Sequence, residues 1–234
     1  MDYAELRTRA PRDRHPGGFT LIEMLIVTAL IGVIASVAVP NLLSSRLVAN
    51  ESAAIQTMRA ISTAQMQFQT SAFLDRNSDG NSEYATLREL AGLEPLRGSA
   101  AALNAGLLSK SAAMLDATGT VTLKGYRIRL FLPAADGTGV VATSDNGAQF
   151  DAAMSNRFWS CVAWPIVEGK TGNRTFFVNQ QGTLLGSRDP GYSGSVTEPD
   201  AGVALVGVPP QNIDSNTLAA GALGADGNQW VLVP

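Results

Sequence analysis

A chain of 234 residues, 45% of them hydrophobic and 16% charged, has room for a membrane segment plus one modest globular domain. Its formal net charge of −3, from 17 Lys+Arg against 20 Asp+Glu, argues against a nucleic-acid-binding surface. A single histidine, His15, and a single cysteine, Cys161, exclude an intramolecular disulfide and, beyond the N-terminal leader, Ser-His-Asp or Cys-His catalysis and imidazole zinc sites.

The first zone, Met1–Gly18, sets Arg7, Arg9, Arg12 and Arg14 against Asp2, Glu5 and Asp13 and shows no helical periodicity. Excess arginine ahead of an apolar run predicts a leader that stays cytoplasmic while the chain after it crosses a membrane. Without the leader, 13 Lys+Arg face 17 Asp+Glu, so the exported part is mildly acidic. From Phe19 to about Leu74 the pattern reads as one long helix, apolar first and amphipathic afterwards. Glu23 lies near its start, and the next charge is Arg46. The 22-residue uncharged run Met24–Ser45 is long enough to span a bilayer as a helix. An ionisable group at the edge of such a span costs about 2.5–3.5 kcal/mol on insertion scales, so Glu23 calls for a partner. Gly32 and Pro40 mark places where the helix can kink or loosen. Between Asn41 and Leu74 there is no Pro or Gly, and Met58, Ile61, Phe68 and Ala72 fall close to one face, as expected of a helix half-buried against a sheet.

After the helix, Asp75-Arg76-Asn77-Ser78-Asp79-Gly80 follows the D-x-N-x-D-G opening of a calcium loop, with Glu83 at the ninth position. The twelfth position is Thr86 rather than the bidentate Glu of an EF-hand, and the same residue types make any tight turn after a helix. Short helical pieces rich in Ala and Leu fill the stretch to Gly119. Period-two alternation predicts a strand over Tyr126–Leu132, stopped by Pro133, with one wet and one buried face. That alternation is a simpler reading of Tyr126, Arg127 and Arg129 than a binding strip. Gly139–Thr143, Phe158–Ala163 and Arg174–Val178 are further strands, and Asn179–Gly182 reads as a hairpin turn leading to Thr183-Leu184-Leu185. Consecutive short strands imply an antiparallel sheet with the long helix on one face, an α+β architecture. Cys161, between Trp159 and Trp164, reads as a core residue. Beyond Arg188 the chain is expected to be loop-rich, closing with Trp230–Val233. Gly169-Lys170-Thr171 lacks the upstream glycine of a phosphate loop, and Asn173-Arg174-Thr175 fits a glycosylation acceptor only by chance.

Gly18 followed by Phe-Thr-Leu-Ile-Glu, then an apolar helix carrying Pro40, resembles the prepilin signature of type IV pilins and type II secretion pseudopilins. The resemblance implies a pilin-like fold in three parts: a cleaved leader, 1–18; a long membrane-spanning then amphipathic helix, 19–74; and an exported α+β head, 75–234. It implies that a membrane-embedded prepilin peptidase cuts between Gly18 and Phe19 and methylates the new Phe19 amine. Glu23 would then pair with the Phe19 amine of a neighbouring subunit, neutralising both charges in low dielectric and fixing the stagger of the helices. The expected product is a homo-oligomeric filament, a type IV pilus or a secretion pseudopilus, with no catalysis by the mature chain. A minor or tip subunit, whose head binds a surface, ligand or secreted substrate, is the alternative. The implied partners are the peptidase, an inner-membrane platform protein, an assembly ATPase and a secretin. The subunit would wait in the bacterial inner membrane with its N-terminus cytoplasmic, then join a periplasmic or surface filament. Calcium-binding pseudopilins use a loop near their C-terminal end, so those ligands do not carry over to Asp75, Asn77, Asp79 and Glu83. Many pilins staple their C-terminal region with a disulfide, which this chain cannot form. Two other readings of the N-terminus are a secretory signal cut after Ala38 and an uncleaved anchor. Glu23 in the apolar region, and a helical pattern that runs on past Ala38, weigh against the first of these.

Overall fold

The computed structural model describes residues 18–188, with the Arg188 side chain left out, and 191–234; most of the leader, residues 1–17, lies outside the described residues. The chain divides into two units at Leu42/Leu43. Up to that point the described residues consist of a short entry without regular secondary structure and the first part of α1 (Leu21–Thr70), and every one of them is exposed.

In the second unit, α1 buries a stripe made of Ala54, Met58, Ile61, Ala64, Gln65 and Phe68, the three- and four-residue spacing that puts side chains on one helix face. The helix stops at Thr70, four residues short of the sequence expectation. Ala72 is exposed with φ +52 and lies past the helix end rather than in the core. The ring of Phe73 folds back to 5.4 Å from that of Phe68, the apolar contact that often accompanies a left-handed helix stop.

The sheet contains β1 (Val121–Leu123), β2 (Tyr126–Pro133), β3 (Gly139–Val141), β4 (Ser160–Pro165), β5 (Arg174–Asn179), β6 (Leu185–Arg188) and β7 (Trp230–Leu232). Their order is β1-β2-β4-β5-β6-β7, with β3 paired to the end of β2 and every pairing antiparallel. Two short helices, α2 (Leu87–Leu90) and α3 (Ala152–Ser155), lie in the connections.

One face of the sheet, with Ile128, Leu130, Cys161, Phe176 and Val178, packs on the α1 stripe. The opposite face carries Phe131, Val162, Trp164, Phe177, Leu185 and, from β7, Trp230, covered by Ala201, Val203, Leu205 and Ile213. This second core corrects the expectation of a wet face on β2. Arg127 and Arg129 lie under the C-terminal segment, with side-chain exposures of 14% and 8%. They stack 5.7 and 5.4 Å from the Trp164 ring and reach Glu198 at 3.4 and 2.7 Å. The loop-rich end is thus bolted to the sheet by ion pairs and aromatic burial, in a chain whose single cysteine rules out a disulfide. Cys161 is buried 3.6 Å from the Met58 sulfur, and burial pushes its thiol pKa up.

Candidate functional site

Gly18, Phe19 and Thr20 form an open entry to α1, and Phe19 is 80% exposed. Thr20 caps the helix. Its N–H and its hydroxyl each donate to Glu23 Oε2 at 2.8 Å, while the Glu23 N–H donates to Thr20 Oγ1 at 3.3 Å. This is a reciprocal capping box, and it places the carboxylate where the helix dipole favours negative charge. Sequence reasoning treated Glu23 only as an assembly charge and missed this role, although Thr-x-x-Glu ahead of an apolar run is its signature.

Beyond the cap, the apolar run projects Leu25, Ile26, Leu30, Ile31, Val33, Ile34 and Val37 outward, each more than half exposed. Two of its hydroxyls are satisfied within the helix: Thr28 Oγ1 donates to the Met24 and Leu25 carbonyls and Ser36 Oγ to that of Val33. A helix that satisfies its own polar groups and is apolar on every side suits a hydrocarbon environment. It is long and apolar enough to cross a membrane. Gly32 and Pro40 both lie inside this one helix.

The 75–83 segment opens with a hydrogen-bonded turn. Asp75 accepts the Asp79 and Gly80 N–H groups at 3.2 and 3.0 Å. Asp79 accepts the Asn81 N–H at 2.7 Å, Asn77 Nδ2 at 2.8 Å and Asn156 Nδ2 at 3.0 Å. Those donors, the Asn81 N–H foremost, hold the Asp79 carboxyl below its ordinary range. The structure brings Asp75, Asn77 and Asp79 into one turn but does not bring Glu83 to them. Glu83 is buried and paired with Arg76 at 2.9 Å, with Arg97 at 3.9 Å. Thr86, at the twelfth position, is the N-cap of α2 and forms a second capping box with Glu89. Among the described residues no group of three or more His, Cys, Asp or Glu converges as for a metal ion.

Comparison with known proteins finds two family models. Residues 13–39 match the Prokaryotic N-terminal methylation motif, and residues 35–198, more than half of the chain, match a family described as Protein of unknown function (DUF2950). The chain is 39% identical over 92 residues to the Type IV major pilin protein PilA of Myxococcus xanthus, covering 39% of this chain and 40% of that protein. It is 38% identical over 74 residues to the Type IV wide pilus major component PilA4 of Thermus thermophilus, covering 32% of this chain and 53% of that protein. The matches thus span about half or less of the length of these relatives. No solved structure matches the chain with significance.

Proposed function

This chain belongs to the family described as Protein of unknown function (DUF2950) and, through its N-terminal segment, to the type IV pilin family, and from that premise we propose that it is a structural subunit of a type IV pilus. The observation that carries the reading is Glu23: a single carboxylate, held by Thr20, at the head of an apolar helix exposed on every side. Peptidase cleavage after Gly18 would leave the Phe19 amine four residues from that carboxylate. A neighbouring subunit's amine then supplies the counter-charge that Glu23 lacks in oil, and methylation keeps that amine cationic. Outward-facing Leu, Ile and Val side chains would bundle into the filament core, with the heads arrayed outside. Before assembly the subunit would sit in the inner membrane with its N-terminus cytoplasmic, served by the peptidase, a platform protein, an assembly ATPase and a secretin.

A pilus is favoured over a secretion pseudopilus because both relatives are named as pilus components. A second reading, a minor or tip subunit, draws on the head itself, which carries two hydrophobic cores and a long covering segment. Copy number in sheared filaments separates the two. For the main reading, mass spectrometry of sheared filaments should find methylated Phe19 as the first residue, and Glu23→Ala should cut filament yield at least tenfold with the subunit still in the membrane. A first residue of Val39 or Met1, or normal filament yield from Glu23→Ala, would overturn it.

A further inference from the structure

The end of α1, the 75–83 turn and the residues just after α3 enclose a cleft of about 470 Å³ that lies wholly within the second unit. That volume is in the range of small-molecule sites, roughly 300–1,000 Å³. Gln69, Asn81 and Asn156 line the cleft with amides, Thr70 and Ser82 with hydroxyls and Arg157 with a guanidinium. Among the described residues no Leu, Ile, Val or Met and no aromatic ring lines it, so its walls suit a hydrophilic ligand. The backbone here takes an uncommon form. Ala72 and Gly80, both on the wall, have φ +52 and +82, and Ser78, in the same turn as Gly80, has φ +56. Non-glycine residues in this region are strained, and such strain gathers at ligand clamps.

Two polar groups of the cleft have unused capacity. Asn156 Nδ2 donates to Asp79 Oδ2 at 3.0 Å. An ionised carboxylate only accepts, so this bond fixes the amide and makes Oδ1 an acceptor. Gln69 Nε2 donates to the Asn156 main-chain carbonyl at 2.7 Å, not to its side chain. Asn156 Oδ1 is left buried and without a donor, a state that costs free energy until a donor arrives. Arg157 is exposed, 5.3 Å from the Phe158 ring, and has no ion pair among the described residues. The rim carries both signs of charge, with Arg157 facing a turn that holds Asp75 and Asp79. Both carboxylates already accept the N–H groups of that turn. A rim of mixed sign gives no preference to an ionic ligand.

A vicinal pair of sugar hydroxyls meets both needs, since each hydroxyl can donate as well as accept. One O–H would donate to Asn156 Oδ1 while the neighbouring oxygen accepts from the Arg157 guanidinium. We infer that this cleft binds a neutral sugar unit of an oligosaccharide, with Asn156 and Arg157 as its recognition pair. A peptide main chain also offers a donor and an acceptor, but its side chains would find no apolar wall here. Because the cleft is confined to the second unit, sugar binding neither requires the filament nor tests it.

Saturation-transfer NMR of the full chain in phosphocholine micelles provides the test. The probes are neutral trisaccharides of glucose, galactose, mannose and N-acetylglucosamine, with acetyl-trialanine amide as the peptide control. At least one trisaccharide should bind saturably and the peptide should not. Arg157→Gln, which keeps the stem beside Phe158, and Asn156→Ala should each weaken that binding at least about tenfold. Arg59→Gln, outside the cleft, should leave it unchanged. Arg157→Gln carries the test even where Asn156→Ala disturbs the 75–83 turn. Sugar binding that is unchanged in Arg157→Gln would place the sugar elsewhere and overturn the site. Binding of the peptide in place of the sugars would overturn the saccharide assignment. No binding by any probe would mean that the cleft holds only water, and would overturn the inference outright.

Discussion

Thr20 shows how much one side chain does at the membrane boundary. With its N–H and hydroxyl both on Glu23, it satisfies the first turn of α1 and gives the carboxylate local donors before any neighbouring subunit arrives. The Glu23 charge is therefore placed rather than merely present. Thr20→Val keeps the shape but removes the hydroxyl, and a lost cap of this kind costs about 1 kcal/mol. Amide hydrogen exchange of the full chain in micelles should then run about fivefold faster at Glu23 and Met24, whose N–H groups donate to Thr20, with Thr20→Ser restoring the slow rate. Unchanged exchange in Thr20→Val would remove Thr20 from the cap.

Among the elements, the C-terminal segment after β6 depends on the sheet most visibly. Three strong links hold it: Glu198 between Arg127 and Arg129, Trp164 Nε1 donating to the Gly194 carbonyl at 2.7 Å, and Asp226 accepting from Tyr192 and Trp230. Glu198 keeps 28% of its side chain in solvent, so its pairs are worth less than fully buried ones. Glu198→Ala should lower stability by about 1–3 kcal/mol, because two largely covered guanidiniums lose their carboxylate. The midpoint of urea unfolding, followed by tryptophan fluorescence, measures this. A shift of nothing at all would mean that apolar burial alone fastens the segment. The element scale is also where the sequence misled. Alternation in Tyr126–Leu132 is the same whether the second face meets water or another layer, and arginines at 127 and 129 read as solvent-facing. Only the distant Glu198 and the register that sets Arg127 opposite Trp164 turn those charges inward.

Across the whole molecule, legibility followed locality. The apolar run, the strands β2 to β5 and the burial of Cys161 could be read because each is dictated by neighbours in sequence. The second core was not legible, since Ala201, Val203, Leu205 and Ile213 sit among Gly, Pro and Asn with no period to betray them. Glu83 was misplaced for the same reason: loop spacing points it at Asp75, whereas Arg97, fourteen residues on, and Arg76 take its carboxylate. Both cores share one global property, the covering of tyrosines. Tyr84 and Tyr126 on the helix side are raised above the ordinary phenol range by burial, and Tyr192 on the other side by burial and then by the Asp226 charge. A folded state that keeps its phenols protonated is fully favoured below the unfolded value, about 10, and loses that advantage as pH climbs towards the folded values. Stability should therefore be flat through neutral pH and decline above about 10, with Tyr192→Phe blunting the decline. Urea midpoints across an alkaline series check this, and a flat profile would refute it.

The Cys161 thiol, sealed between β4 and the Met58 turn of α1, gives the molecule a native stopwatch. An alkylating reagent can reach that sulfur only when helix and sheet part company. The pace of its modification thus clocks how often a subunit breathes, in membrane or in filament, without any label being engineered into the chain.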